Sequence, residues 1–351
     1  MVAVIVSLSG STAASADSVR DQQWHLKFLD VSRAQEIAKG GGVTIAVIDT
    51  GVDSEHPDLR GNVLDGFDVN GDPGAGRVDK NGHGTAMAGL IAAHGKGPDG
   101  ALGIAPEARI LPVQVLGPTG SGAGVGEGIR WAVDHGARVV NLSLGGGGGT
   151  SAGIGSGIDY ARSRDVVVVA AAGNTDRARD VEFPANKPGV VAVGGVDKQG
   201  NDSATTVKGE ALVVCAPSED IMTTGLEGKY RRGDGGTSSA AAIVSGVVAL
   251  IRSKFPQLTA EQVVNRLTAT ATDKGDPGHD RLYGWGIVDP VKALTATLPG
   301  EGQPGSGDQK NETHPFRTPV LLLGGAAVAV VLVAGLALVA IRSLRDRVSP
   351  R

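Results

Sequence analysis

Six short runs of mainly β-branched and other apolar residues limit the fold of this chain more than any other feature. They are Val43–Ile48, Ile110–Val115, Val139–Leu144, Val166–Ala170, Val190–Val193 and Leu212–Val214. Short, nearly continuous apolar runs are typical of parallel strands buried on both faces. Helical patterns separate several of them, at His83–Ala93, Gly126–His135 and Gly153–Ser163. The alternation predicts an α/β fold with a mainly parallel central sheet and helices on both faces, and polar residues that follow the strands should meet at one edge.

Two more helices are expected after the last strand. Thr237–Lys254 is apolar over most of its surface, which predicts a central, buried helix. Thr259 and Gln262 have the spacing of a capping box at the start of the next helix. The expected buried stripe of that helix consists of Val263, Val264 and Leu267.

Composition excludes several classes of protein. The net charge of −4 and the aromatic fraction of 3% give no reason to expect a nucleic-acid partner. Cys215 is the only cysteine, so the chain cannot form an intrachain disulfide. It lies in an apolar run, which favours a buried core thiol over a nucleophile. A zinc protease is unsupported because the sequence has no His-Glu-x-x-His motif.

The amino-terminal segment has part of a secretion signal. An apolar run at residues 2–8 is followed by Ala14-Ser15-Ala16, the pattern of a signal-peptidase site. The basic residues that usually precede such a run are missing, and a buried amino-terminal strand is the alternative interpretation. We predict a signal peptide at residues 1–16.

The carboxyl-terminal segment predicts a membrane anchor. Residues 320–341 contain no charged side chain and reach the length of about 20 residues that a bilayer requires. An arginine-rich tail at 342–351 follows, as expected on the cytoplasmic side. Residues 299–319 are rich in glycine, proline and polar residues and predict a flexible stalk. Residues 17–298 should therefore form a domain outside the cytoplasm, tethered to the cell membrane.

Asp49 stands at the end of the first predicted strand, in Ile48-Asp49-Thr50-Gly51. A carboxylate there can face a site at the sheet edge, although an aspartate at a strand end is also an ordinary turn residue. Asp-Thr-Gly is typical of aspartic proteases too, but their mechanism needs two carboxylates. Only one such motif occurs here, so that alternative would require a dimer of half-sites.

The other candidate residues lie at the starts of helices and after a strand. His83 lies between Gly82 and Gly84, which leave room for its imidazole at the start of a predicted helix. Ser238 opens the buried helix, where a serine is either a simple N-cap or a nucleophile at the positive end of the helix dipole. Asn174 follows a buried strand, either as a turn residue or as an amide donor to an oxyanion.

The chain order Asp, His, Ser is that of the subtilisin triad. On the motifs around these residues the chain resembles the subtilisin-like serine proteases over about residues 40–290. The resemblance implies a serine endopeptidase that works through an acyl-enzyme and needs no cofactor. It makes Asp49 the orienting acid, His83 the general base, Ser238 the nucleophile and Asn174 an oxyanion donor.

The same resemblance implies a channel for a protein or peptide substrate. Ser143-Leu144-Gly145 would pair with the substrate backbone beside the S1 pocket, and Gly120-Ser121-Gly122 would form the opposite edge. An extended peptide would then add a strand between them. Two glycine loops without a binding role are the alternative. No metal ligand is predicted, and calcium binding is left open.

A narrower resemblance is to the mycosins, the subtilisin-like proteases associated with type VII secretion. It rests on Gln23-Trp24-His25-Leu26, on the short segment before Asp49, and on the stalk, span and basic tail. The chain departs from these families in its single cysteine and at Ala242, where subtilisins usually have proline. The resemblance implies a type VII secretion complex as a partner. The rivals are a structural component of that complex with proteolysis secondary, and a lipase or esterase, whose Gly-x-Ser-x-Gly motif is absent around Ser238.

Overall fold

The computed structural model describes residues 18–69, 71, 76–95, 97, 99–117, 124–145, 151–233, 236–299 and 301. The chain divides into two units, residues 1–301 and 302–351. The predicted signal peptide, transmembrane helix and basic tail, and most of the predicted stalk, lie outside the described residues. Within the described ranges, no helix is both long and apolar enough to cross a bilayer.

A parallel sheet occupies the centre of the first unit. Its strands are β1 (Thr44–Asp49), β2 (Phe67–Asp68), β3 (Arg109–Gln114), β4 (Val139–Leu142), β5 (Val167–Ala171), β6 (Val191–Val196) and β7 (Val214–Pro217). They are arranged β2-β3-β1-β4-β5-β6-β7, and every pairing between neighbours is parallel. The mainly parallel sheet is confirmed, and the six predicted strands all belong to it. Strand β2, which has only two residues, is an addition.

Two groups of helices pack on the central strands. The helices are α1 (Trp24–Phe28), α2 (Val31–Ile37), α3 (His83–Ala92), α4 (Val125–Asp134), α5 (Ser151–Ser163), α6 (Thr237–Lys254), α7 (Ala260–Ala269) and α8 (Pro290–Thr295). Helices α4 and α5 pack against each other and form one group. Helices α3 and α6 form the other, and α6 also contacts β4 to β7. Helix α6 is buried along most of its length, as predicted. The capping box of α7 is present, with both of its hydrogen bonds.

A short antiparallel hairpin, β8 (Met222–Thr224) and β9 (Tyr230–Arg232), is held against α3. The Thr224 hydroxyl donates to the carbonyl of Thr85 at 2.7 Å, and the Thr223 hydroxyl donates to that of Ala86 at 3.0 Å. The facing helical residue is Gly89, where an added Cβ would lie 2.0 Å from the Thr224 hydroxyl oxygen. These contacts fix the hairpin beside the helix that carries His83.

The segment before β1, which contains α1 and α2, packs against the rest of the domain. The Gln23 side chain accepts from the amide of Leu102 at 2.8 Å and donates to its carbonyl at 3.0 Å. The indole nitrogen of Trp24 donates to the carbonyl of Glu219 at 3.1 Å. The neighbouring His25 is completely buried. The motif that resembles the mycosins therefore lies against the body of the domain.

The interior holds two further buried groups. Cys215 is fully buried, as predicted, and burial raises the pKa of its thiol. In α7, the buried side chain of Arg266 pairs with Glu301. That pair connects α7 to the beginning of the predicted stalk.

Candidate active site

The topology brings the predicted catalytic residues to one edge of the sheet. Asp49 ends β1, Ser143 follows β4 and Asn174 follows β5, so all three stand at carboxyl ends of parallel strands. His83 is the first residue of α3, and Ser238 lies in the first turn of α6. A cavity of about 630 Å³ is lined by His83, Ser143, Asn174 and Ser238. Asp49 lies beneath it, completely buried.

The side chains of Asp49 and His83 are joined by a hydrogen bond. The Nδ1 atom of His83 lies 2.8 Å from Oδ1 and 2.9 Å from Oδ2 of Asp49. Because an ionised carboxylate only accepts, Nδ1 carries the hydrogen and Nε2 is left for other partners. The negative charge of Asp49 raises the pKa of His83 above its ordinary value, although burial works in the opposite direction. The imidazole is thus oriented, and its charged form is stabilised, from one side.

Asp79, which the sequence motifs did not single out, holds the start of α3 in place. Its carboxylate accepts from the hydroxyl of Thr50 at 3.0 Å and from the amide of Gly82 at 2.9 Å. It also accepts from the amide of Thr85 at 3.0 Å and from its hydroxyl at 2.7 Å. Helix α3 has no side-chain cap at Gly82 itself, so Asp79 supplies the acceptor that a capping residue usually provides. It ties the helix of His83 to the loop that follows Asp49.

Ser238 is fixed by a reciprocal contact with Ser143. The Ser238 hydroxyl donates to the carbonyl of Ser143 at 3.1 Å, and the Ser143 hydroxyl donates to the carbonyl of Ser238 at 3.0 Å. Asn141 donates to the Ser143 hydroxyl at 2.9 Å and accepts from the hydroxyl of Ser245 at 3.1 Å. These bonds join the end of β4 to α6 beneath the cavity. The start of α6 is therefore held by buried polar contacts as well as by packing.

The amide of Asn174 has a defined orientation. Its Oδ1 accepts from the backbone amide of Thr237 at 3.1 Å and from the Thr237 hydroxyl at 3.2 Å. A backbone amide can only donate, so the oxygen must face Thr237 and the NH₂ group must face the other way. Among the described residues Nδ2 makes no hydrogen bond. At Gly236, where φ is 144°, an added Cβ would lie 3.2 Å from Nδ2, so a side chain there would crowd the donor.

The predicted substrate channel lies partly within the described residues. Ser143, Leu144 and Gly145 line the cavity. Ser143 is 3% exposed and uses its hydroxyl internally, which leaves mainly backbone groups for a ligand. Gly120, Ser121 and Gly122 lie outside the described residues. No group of three or more histidine, cysteine or acidic side chains that could hold a metal occurs in the described ranges.

Three charged residues of the cavity were missed by the sequence interpretation. They are Arg177, Glu182 and Arg231. Arg177 and Glu182 lie in the segment after Asn174, and Arg231 lies on β9. No periodic pattern or motif marks them, because their position depends on how loops fold over the sheet edge.

Comparison with known proteins places this geometry in a family. The sequence profile of the subtilase family matches residues 40–286. Mycosin-1 of Mycobacterium tuberculosis is 33% identical, over 97% of this chain and 90% of its own length. Subtilisin DY of Bacillus licheniformis is 39% identical, over 71% of this chain and 90% of its own length.

A solved structure agrees with these relatives. The crystal structure of MycP1 from the ESX-1 type VII secretion system superimposes with a TM-score of 0.73 at 30% identity. The match covers 83% of this chain and 90% of that one. The fold, the family profile and the relatives therefore agree: the chain belongs to the subtilase family, as a serine endopeptidase related to the mycosins.

Proposed function

We propose that the chain hydrolyses peptide bonds through an acyl-enzyme formed on Ser238. His83 takes the Ser238 proton as general base, and Asp49 holds the imidazole and stabilises the imidazolium. For that transfer, the Ser238 hydroxyl must turn from the carbonyl of Ser143 to Nε2 of His83, a change that substrate binding would favour. The observation that carries the proposal is the hydrogen bond from His83, which lines the cavity together with Ser238, to the buried carboxylate of Asp49.

Asn174 and the start of α6 supply the oxyanion site in this proposal. Attack by Ser238 places negative charge on the former carbonyl oxygen. The NH₂ group of Asn174 and the backbone amide of Ser238, in the first turn of α6, are the donors for it. Since Thr237 fixes the oxygen of the Asn174 amide, the donor needs no reorganisation when charge develops.

Hydrolysis of a quenched fluorescent peptide by the wild-type chain and by Ser238→Ala and His83→Ala tests the mechanism. We expect turnover by the wild type and a loss of roughly a thousandfold or more in each variant. Melting curves of the three proteins serve as the control for folding. Turnover by Ser238→Ala at the wild-type rate would refute the role of Ser238.

We also propose that the enzyme is tethered to the cell membrane and works outside the cytoplasm with a type VII secretion complex. Residues 320–341 support the tether, because they lack charge and precede a basic tail. The secretion role is supported by likeness to MycP1, a solved relative described as an essential component of the ESX-1 system. A structural role with proteolysis secondary is the second candidate. Capture of the membrane complex with Ser238→Ala and wild type, together with a measurement of secretion by each, separates the two, because only a structural role leaves both assembly and secretion intact in the variant.

A further inference from the structure

The charged side chains of the cavity lie on two sides of the catalytic pair. Arg177 and Glu182 lie on the Asn174 side, since the Arg177 amide donates to the Asn174 carbonyl at 3.0 Å and the Glu182 amide donates to that of Ala172 at 3.4 Å. The guanidinium of Arg177 has an acidic partner in Asp176, at 3.5 Å. The third charged group is separate from this cluster and lies beside the general base.

Arg231 is that third group. The hairpin that carries it is bonded to α3, and a Cβ added at Gly82 would lie 3.7 Å from its Nη1 atom, so the guanidinium stands beside the residue that precedes His83. Its positive charge lowers the pKa of His83, against the effect of Asp49. The side chain is half-buried, and within the described residues it makes no hydrogen bond and no ion pair. Among the described residues, this cation therefore has no partner that would offset its partial desolvation.

Arg231 lies beside His83, which places it on the leaving-group side of the scissile bond in the proposed mechanism. In the proposed mechanism the carbonyl oxygen points to Asn174, whereas His83 must reach the leaving nitrogen in order to protonate it. Side chains beside His83 therefore face the substrate residue that follows the scissile bond.

We propose that Arg231 recognises a carboxylate on this leaving-group side, so that the enzyme cleaves preferentially before aspartate or glutamate. This inference rests on the proposed function. A guanidinium binds a carboxylate with paired, charge-assisted hydrogen bonds, which an amide of the same shape does not replace. The substrate carboxylate would also cancel the repulsion between Arg231 and the imidazolium of His83 as that cation forms. The preference should therefore appear in kcat/KM.

The test uses the full chain and a pair of peptides. A site that the enzyme cleaves in a denatured protein supplies the parent sequence, synthesised with an amidated carboxyl terminus. Its residue after the scissile bond is made glutamate in one peptide and glutamine in the other. We expect the wild type to favour glutamate by about tenfold in kcat/KM at low salt. Arg231→Gln should bring the ratio close to one, and Arg231→Glu should favour glutamine.

Arg232→Gln is the matched control, because Arg232 is the next residue of β9 and its guanidinium pairs with Asp220 at 2.6 Å. It should keep the wild-type ratio. Each ratio compares two peptides at one pH with one protein. A changed pKa of His83 therefore affects both kcat/KM values equally and cancels in the ratio. Equal rates on the two peptides in the wild type, or an unchanged ratio in both Arg231 variants, would overturn the inference while leaving the peptidase intact. Failure to cleave any peptide would overturn the proposed function and this inference with it.

Discussion

Acid should destabilise this protein through His25. The ring is completely buried in α1, and neither of its nitrogens has a hydrogen-bond partner among the described residues. Burial lowers the pKa of His25 to about 3, whereas an unfolded histidine titrates near about 6.5. The unfolded chain therefore binds the extra proton first as the pH falls. Stability is fully present above pH 6.5 and is lost progressively down to about pH 3.

The magnitude follows from the separation of the two pKa values. Each pH unit between them costs about 1.4 kcal/mol, so His25 should remove about 2 kcal/mol of the free energy of unfolding between pH 7 and pH 5. His25→Leu should remove that dependence. Urea unfolding at both pH values, in a Ser238→Ala background that prevents self-digestion, measures it. The exposed His135, changed to leucine, is the control. A stability difference between wild type and His25→Leu that is the same at pH 7 and pH 5 would refute the reasoning.

Other predictions concern catalysis and the domain boundary. Asn174→Ala should lower kcat roughly a hundred- to a thousandfold with little change in KM, as measured by steady-state kinetics on a peptide. A kcat within a few-fold of wild type would mean that Asn174 is only a turn residue. The rate should rise with pH through the pKa of His83, above about 6.5, because the general base must be neutral. Asp79→Asn should move that midpoint of the pH–rate profile downward, because the negative charge of Asp79 also raises the pKa of His83; an unmoved midpoint would contradict this electrostatic effect. Removing residues 302–351 should give an active protein. A truncation that also removes Glu301 should lower the free energy of unfolding in urea by about 3–5 kcal/mol, because the buried Arg266 loses its carboxylate partner.

The parallel sheet and the main helices could be predicted because their signal is local. Strands buried on both faces must be apolar throughout, as Val167–Ala171 is, and the buried helix Thr237–Lys254 is continuous in the sequence. The hairpin at 222–232 could not be predicted in the same way. Its strands are three residues each, and one of them, Tyr230–Arg232, has no buried residue. Contacts with α3, far away in the sequence, hold it in place.

The residues of the site also divide into those that a local sequence signal predicts and those that depend on distant contacts. Asp49, His83, Asn174 and Ser238 each stand at the end of a strand or the start of a helix, so their elements could be predicted and the parallel topology brings them together. Asp79 could not be found, because its partners before the helix and after β1 become neighbours only when the loops fold. The signal that could have indicated it is an aspartate shortly before a helix whose N-cap residue is a glycine, which has no side chain to cap the helix.

Labelling with a fluorophosphonate probe, followed by peptide mapping, tests the central claim most directly. The probe reacts with a serine only when a base and an oxyanion site activate it. The full chain should be modified at Ser238 and at no other serine. Ser238→Ala should abolish the labelling, His83→Ala should nearly abolish it, and Asn174→Ala should slow it. Modification of a different serine, or no modification of folded wild-type protein, would contradict the assignment of Ser238, His83 and Asp49 as the catalytic triad.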